Sequence, residues 1–206
     1  SITGSTHTMS LDADWLFNGE NSNDLSGHAM AELGDLDKDG YGDFMLSAKG
    51  QDTFGSNSGV VYVINGGLLP IFRTINLEDA WFKIGGEAAG DRAGHDLAFG
   101  GDVDADGRGD LLISAYANDA GGSSAGRTYL VLGDSVPADG GSMSLSDTDF
   151  AFTGESLADS SGYSIAGNGD FDADGLSDIL IGAYLRDSSD SDAGTTYMFV
   201  SPSVYH

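Results

Sequence analysis

The chain has 206 residues, with 33 Asp plus Glu against 8 Lys plus Arg, a formal net charge of −25, and no cysteine. A surface this acidic repels nucleic acid and anionic membrane, the lack of thiols removes disulfides, thiolate metal sites and a cysteine nucleophile, and no segment reaches the ~18 apolar residues of a membrane span. Since 40% of the residues are apolar and 10% aromatic, a packed core is expected rather than acid-driven disorder, and part of the acid is expected to bind cations.

In chain order, the first apolar segment is "DWLFNG" (14–19), followed by Glu20. "HAMAEL" (28–33) leads into "GDLDKDGYGD" (34–43), and "DFMLSA" (43–48) leaves it as a short apolar run. Bounded by turn residues, that run suggests a strand buried on both faces, although periodicity alone leaves a buried helix open. The Asp39-Gly40 pair supports a hairpin. "GVVYVI" (59–64) follows, rich in β-branched and aromatic residues, which favour strands. The series then restarts. "WFKIGG" (81–86) and Glu87 precede "HDLAF" (95–99), "GDVDADGRGD" (101–110), "DLLISA" (110–115) and "GRTYLVL" (126–132). A third series runs "DFAFTG" (149–154), Glu155, "YSIAG" (163–167), "GNGDFDADGLSD" (167–178), "DILIGA" (178–183) and "GTTYMFV" (194–200).

Three tandem copies of one supersecondary unit account for nearly the whole chain. We delimit one module over 1–206, with repeats of about 9–74, 75–142 and 143–206. The expected fold is all-β: propeller-type blades of four antiparallel strands, about 67 residues per period, forming a partial propeller or half of an oligomeric one. Each acidic loop reads Asp-x-Asp-x-Asp-Gly-x-x-Asp. Carboxylates therefore fall at positions 1, 3, 5 and 9, with a turn-forming Gly at 6 and a backbone carbonyl within reach at 7, which suits a hard cation that takes six to eight oxygens. An EF-hand would place Glu at position 12 and enter a helix; Leu46, Ile113 and Ile181 stand there instead.

The order "GHDLAFGGDVDADGRGDLLISAY" followed by "GRTYLVLG" resembles the FG-GAP repeat, the blade of the integrin alpha-subunit β-propeller and of many bacterial extracellular proteins. Departures are local: His28, His95 or Tyr163 follows the first Gly, and Ser47-Ala48-Lys49, Ser114-Ala115-Tyr116 and Gly182-Ala183-Tyr184 replace Gly-Ala-Pro. The resemblance implies one structural calcium ion per loop, about three per chain. The implied ligands are Asp35, Asp37, Asp39, the Tyr41 carbonyl and Asp43 in the first loop. In the second they are Asp102, Asp104, Asp106, the Arg108 carbonyl and Asp110, and in the third Asp170, Asp172, Asp174, the Leu176 carbonyl and Asp178. On this reading Arg108-Gly109-Asp110 is an incidental tripeptide, its Asp already committed to the ion.

Other candidates read as structural. "GSSAG" (122–126) fits the G-x-S-x-G nucleophile elbow, but a loop precedes it and a strand follows, so no hydrolase activity is expected. His28 and His95 share their repeat position with Tyr163, which suggests ring packing; Glu20, Glu87 and Glu155 suggest a repeated hydrogen bond; Trp15 and Trp81 suggest core or rim. We expect an extracellular or cell-surface, non-enzymatic adhesion or ligand-binding module, bacterial in type, with a protein or glycan partner and neither nucleic acid nor membrane insertion. The alternatives are a calcium-dependent lectin and an accessory domain of a larger secreted hydrolase. The segment at 14–18 has no blade of its own and the last blade no fourth strand, so either a longer propeller or a homodimer completing six blades is expected.

Overall fold

A computed structural model describes residues 13–71, 74–148, 150–187 and 190–201. The outer limits of the first and third repeats, 9–12 and 202–206, lie outside the described residues. Fourteen strands run β1 (Leu16–Asn18), β2 (Ser26–Gly34), β3 (Asp43–Ala48), β4 (Val60–Ile64), β5 (Thr74–Asn76), β6 (Phe82–Gly85), β7 (Leu97–Gly101), β8 (Asp110–Ala115), β9 (Arg127–Val131), β10 (Gly141–Ser144), β11 (Phe150–Thr153), β12 (Ser161–Gly169), β13 (Asp178–Ala183) and β14 (Thr195–Phe199). Four single turns of 3-10 helix are the only helical elements among the described residues, so the chain is all-β.

The strands form sheets in the orders β10-β6-β4-β3-β2, β11-β9-β8-β7 and β12-β13-β14, plus the pair β1-β5. Within each repeat the pairings are antiparallel, because short loops join neighbours: β2 returns as β3 across the acidic loop, with Gly34 opposite Asp43, and β3 as β4, with Leu46 opposite Tyr62. The expectation of four strands per repeat meets the second sheet alone. The first gains β10, parallel to β6, and the third has three strands among the described residues. β5 lies parallel to β1 as β10 does to β6. β5 (Thr-Ile-Asn) and β10 (Gly-Ser-Met-Ser) carry one large apolar residue each and no aromatic, unlike the equally short β1, β6 and β11 with their Phe residues, so nothing in the sequence marked them.

The core lies between sheets. Met45, Val61 and Val63 of the first sheet pack with Leu97, Leu111 and Ile113 of the second; Leu112 and Leu130 of the second pack with Ile179 and Ile181 of the third. Facing apolar layers on both sides explain why β3, β8 and β13 read as continuous apolar runs, all three being largely buried. β7 runs beside both β2 and β12, so the strand entering each acidic loop is the one at which the sheets meet.

Candidate metal centre

Each acidic loop is held by its own carboxylates. The position 1 Asp accepts the N–H groups at positions 5 and 6: Asp35 from Asp39 (2.9 Å) and Gly40 (2.9 Å), Asp102 from Asp106 (3.1 Å) and Gly107 (3.0 Å), Asp170 from Asp174 (3.1 Å) and Gly175 (3.1 Å). The position 3 Asp also accepts the position 5 N–H, and the position 5 Asp accepts that of position 7, from Tyr41, Arg108 and Leu176. These bonds curl the chain so that its acids converge. Position 4 takes a left-handed conformation in all three loops, with φ of 64° at Lys38, 61° at Ala105 and 63° at Ala173, a feature that these non-glycine residues do not advertise.

Carboxylate oxygens gather in three groups: Asp35, Asp37 and Asp39; Asp102, Asp104 and Asp110; Asp170, Asp172 and Asp178, with the atoms of each group within 4.8 Å of one another. Two oxygens bound to one calcium ion at about 2.3 to 2.6 Å lie at most about 5.2 Å apart, so the donor set fits the ion in chemistry and spacing. Asp43 in the first loop, and Asp106 and Asp174 in the others, stand outside these groups, and Tyr41, Arg108 and Leu176 enter the loop network through their amides. The first loop differs through a neighbour that the motif does not contain. Asn65, just after β4, donates to Asp37 Oδ2 (2.5 Å), where Leu132 and Val200 stand in the other repeats.

The Asp at position 9 does more than the motif foretold. Asp110 is fully buried and accepts the Val103 N–H (2.8 Å) on one oxygen and the Gly133 N–H (2.9 Å) on the other. Asp43 does the same with Leu36 and Gly66, and Asp178 with Phe171 and Ser201. Each therefore ties its loop to the turn after the third strand of its repeat, 23 residues on. Each oxygen keeps a second lone pair for a metal. Burial pushes the Asp110 carboxyl up to about 7, the two N–H donors pulling the other way; burial likewise raises Asp43 and Asp104. Two buried N–H partners take Asp110 out of reach of a receptor, and the Arg108 guanidinium donates to the Leu36 carbonyl (3.4 Å), so the tripeptide is part of the packing.

Elsewhere the repeated polar residues have repeated partners. Glu20 accepts from Tyr62 Oη (2.8 Å) and Lys83 (2.9 Å), Glu87 from Arg127 (3.0 Å) and Asn118 (3.1 Å), and Glu155 from Tyr197 Oη (3.1 Å) and Arg186. His28, His95 and Tyr163 form a row of rings, 5.2 Å and 4.5 Å between centroids, and Tyr116 and Tyr184 extend it. Burial, with Lys49 nearby, lowers His95 to about 4 and keeps it neutral. Ser124 sits in a turn (φ 52°) directly before β9, not in a strand-to-helix elbow.

The FG-GAP repeat family model matches residues 161–199, which span β12, the third acidic loop, β13 and β14. No curated protein matches the chain.

Proposed function

We propose that the chain is a calcium-binding β-propeller module, its sheets acting as blades, used outside the cell to hold a protein or glycan ligand, with calcium structural. The single observation that carries this reading is the convergence of three carboxylate oxygens within 4.8 Å in each of three loops. FG-GAP repeats are typically extracellular, where millimolar calcium fills even weak sites. The ions would be held by the position 1 and 3 Asp of every loop, by Asp39 in the first, and by Asp110 and Asp178 in the second and third. Bound there, calcium offsets the mutual repulsion of acids packed into nine residues. The test is metal stoichiometry by native mass spectrometry: about three calcium ions per chain are expected, and two in Asp104→Asn, whose carboxylate belongs to the second group. A protein that binds no calcium and melts unchanged in chelator would refute the reading.

A glycan ligand is favoured by a specific feature, the partly exposed row of His95, Tyr116, Tyr163 and Tyr184. Flat rings stack on the apolar faces of sugars. Glycan-array binding lost in Tyr184→Ala and kept in Asp104→Asn with the fold intact would identify that row as the ligand surface.

A further inference from the structure

Each position on the row of rings occurs three times on one backbone, so the repeat shows which side chains the fold itself requires there. One position carries His28, His95 and Tyr163, and the other carries Lys49, Tyr116 and Tyr184. From Tyr184 the row runs through Tyr163 (4.3 Å between centroids) to His95 (4.5 Å from Tyr163), where an ammonium takes the place of the next ring: Lys49 Nζ lies 3.4 Å from His95 Nδ1. A second cation departs from the repeat at the same place. Arg92, exposed, stands in a left-handed turn (φ 58°) whose equivalents are Leu25 (58°) and Ser160 (51°). The blade geometry therefore accepts Tyr in place of Lys49, and Leu or Ser in place of Arg92. Lys49 follows β3 and Arg92 precedes β7, so these two cations come together where the first and second sheets meet.

In a chain with 33 acids and 8 Lys plus Arg, a cation without an acid is unusual. Lys83, Arg127 and Arg186 pair with Glu20, Glu87 and Glu155, whereas Lys49 and Arg92 form no ion pair among the described residues. The acid that bears on this cluster is Asp96, which acts on His28, and its carboxylate is engaged by the N–H groups of Leu97 (3.0 Å) and Ile165 (2.9 Å). Burial and then the charge of Arg92 lower the Lys49 ammonium below its ordinary pKa, and burial, Lys49, His28 and Arg92 lower His95 to about 4. An ammonium partly stripped of water, beside a neutral imidazole and a second cation, is a setting that an incoming anion relieves.

We propose that the row binds an acidic glycan, its sugar rings stacked on Tyr116, Tyr163 and Tyr184 and its carboxylate or sulfate held by Lys49 and Arg92 at the junction of the first two sheets. This rests on the glycan reading of the row given above, to which it adds the charge of the ligand and the end of the row where that charge lies. Lys49 offers three N–H donors and Arg92 a planar fork to the anionic oxygens, and neutral His95 can donate to or accept from a sugar hydroxyl. The net charge of −25 does not forbid such a ligand. Exposed charges more than about 8 Å away are largely screened at physiological ionic strength, whereas a direct contact at a partly buried ammonium is screened much less.

Calorimetric titration in millimolar calcium tests this with paired probes: trigalacturonate against its methyl ester, and a sulfated galactan oligosaccharide against the desulfated one. The acidic member of at least one pair should bind about tenfold more tightly or better, the effect of one charge-assisted contact, and the pair that responds tells carboxylate from sulfate. That ratio should fall towards one in Lys49→Tyr combined with Arg92→Ser, two changes that import the residues of the other repeats and should leave the fold intact by circular dichroism. The favoured acidic probe should also raise the His95 pKa from about 4 in an NMR titration of its ring proton, and the neutral partner should not. Equal affinity for acidic and neutral probes, or a preference that survives the double variant, would overturn the proposal and leave the glycan reading standing. Binding of hexaglutamate at these cations with no sugar bound would overturn both in favour of an acidic peptide.

Discussion

Asp110 serves two demands that conflict without a cation. As a strut it accepts two buried N–H groups, and as the proposed calcium ligand it would have to be ionised, yet burial lifts its pKa from 3.8 to about 7. The folded state then holds a proton that the unfolded state releases. Its contribution to stability is fully present below 3.8 and lost as pH rises towards about 7. His95 works in the opposite sense: its pKa falls from 6.5 to about 4 on folding, and stability is lost as pH drops through that range. The Asp110 effect is therefore read as a difference. In metal-free protein, the stability advantage of wild type over Asp110→Asn should shrink by a few kcal/mol between pH 4 and 7, at about 1.4 kcal/mol per pKa unit. The variant should also carry a constant loss of about 1 to 3 kcal/mol, since an amide has one oxygen for two N–H groups. With saturating calcium the trend should reverse, because metal binding expels the proton. A difference in chemical-denaturation stability that does not change with pH would show that Asp110 is ionised in the fold with or without metal.

At the scale of elements, much of the organisation was legible. Acidic loops, apolar runs and Tyr-bearing strands each recur at fixed spacing, and the structure folds them into β2-β3-β4, β7-β8-β9 and β12-β13-β14. Contacts that join distant positions without a local pattern were not legible. The N–H groups of Gly66, Gly133 and Ser201 that anchor position 9 lie 23 residues beyond it, and Asn65 enters the first loop from outside the motif. The recurring Gly before each ring gives an intermediate case. Gly27, Gly94 and Gly162 share a left-handed backbone (φ 79°, 78° and 82°). A Cβ on Gly94 would sit 2.5 Å from Ser47 Cβ of the preceding sheet and one on Gly162 would sit 2.6 Å from Thr128 Oγ1, whereas one on Gly27 meets nothing within 4 Å. Gly94→Ala should then cost about 2 to 4 kcal/mol, adding overpacking to the left-handed penalty. Gly27→Ala should cost the single chain only the ~1 to 2 kcal/mol of backbone strain. Equal losses in urea denaturation would mean that sheet-to-sheet contact is not what demands the second glycine.

For the whole molecule, the charge of −25 opposes the compact state, and the proposed calcium ions would act against it. Twelve of the 33 acids lie in the three loops, so three calcium ions would add six positive charges where repulsion is densest. Chelation should therefore lower the melting temperature. Salt distinguishes two causes of that loss. Raising ionic strength to about 1 M shortens the screening length to roughly 3 Å and would restore stability lost to long-range repulsion alone. Because a bound ion would also hold the converging carboxylates of each loop together, salt should recover only part of the loss, and calcium all of it. Melting followed by circular dichroism in calcium, in chelator, and in chelator with salt measures this, and complete recovery by salt would leave calcium no role beyond its charge.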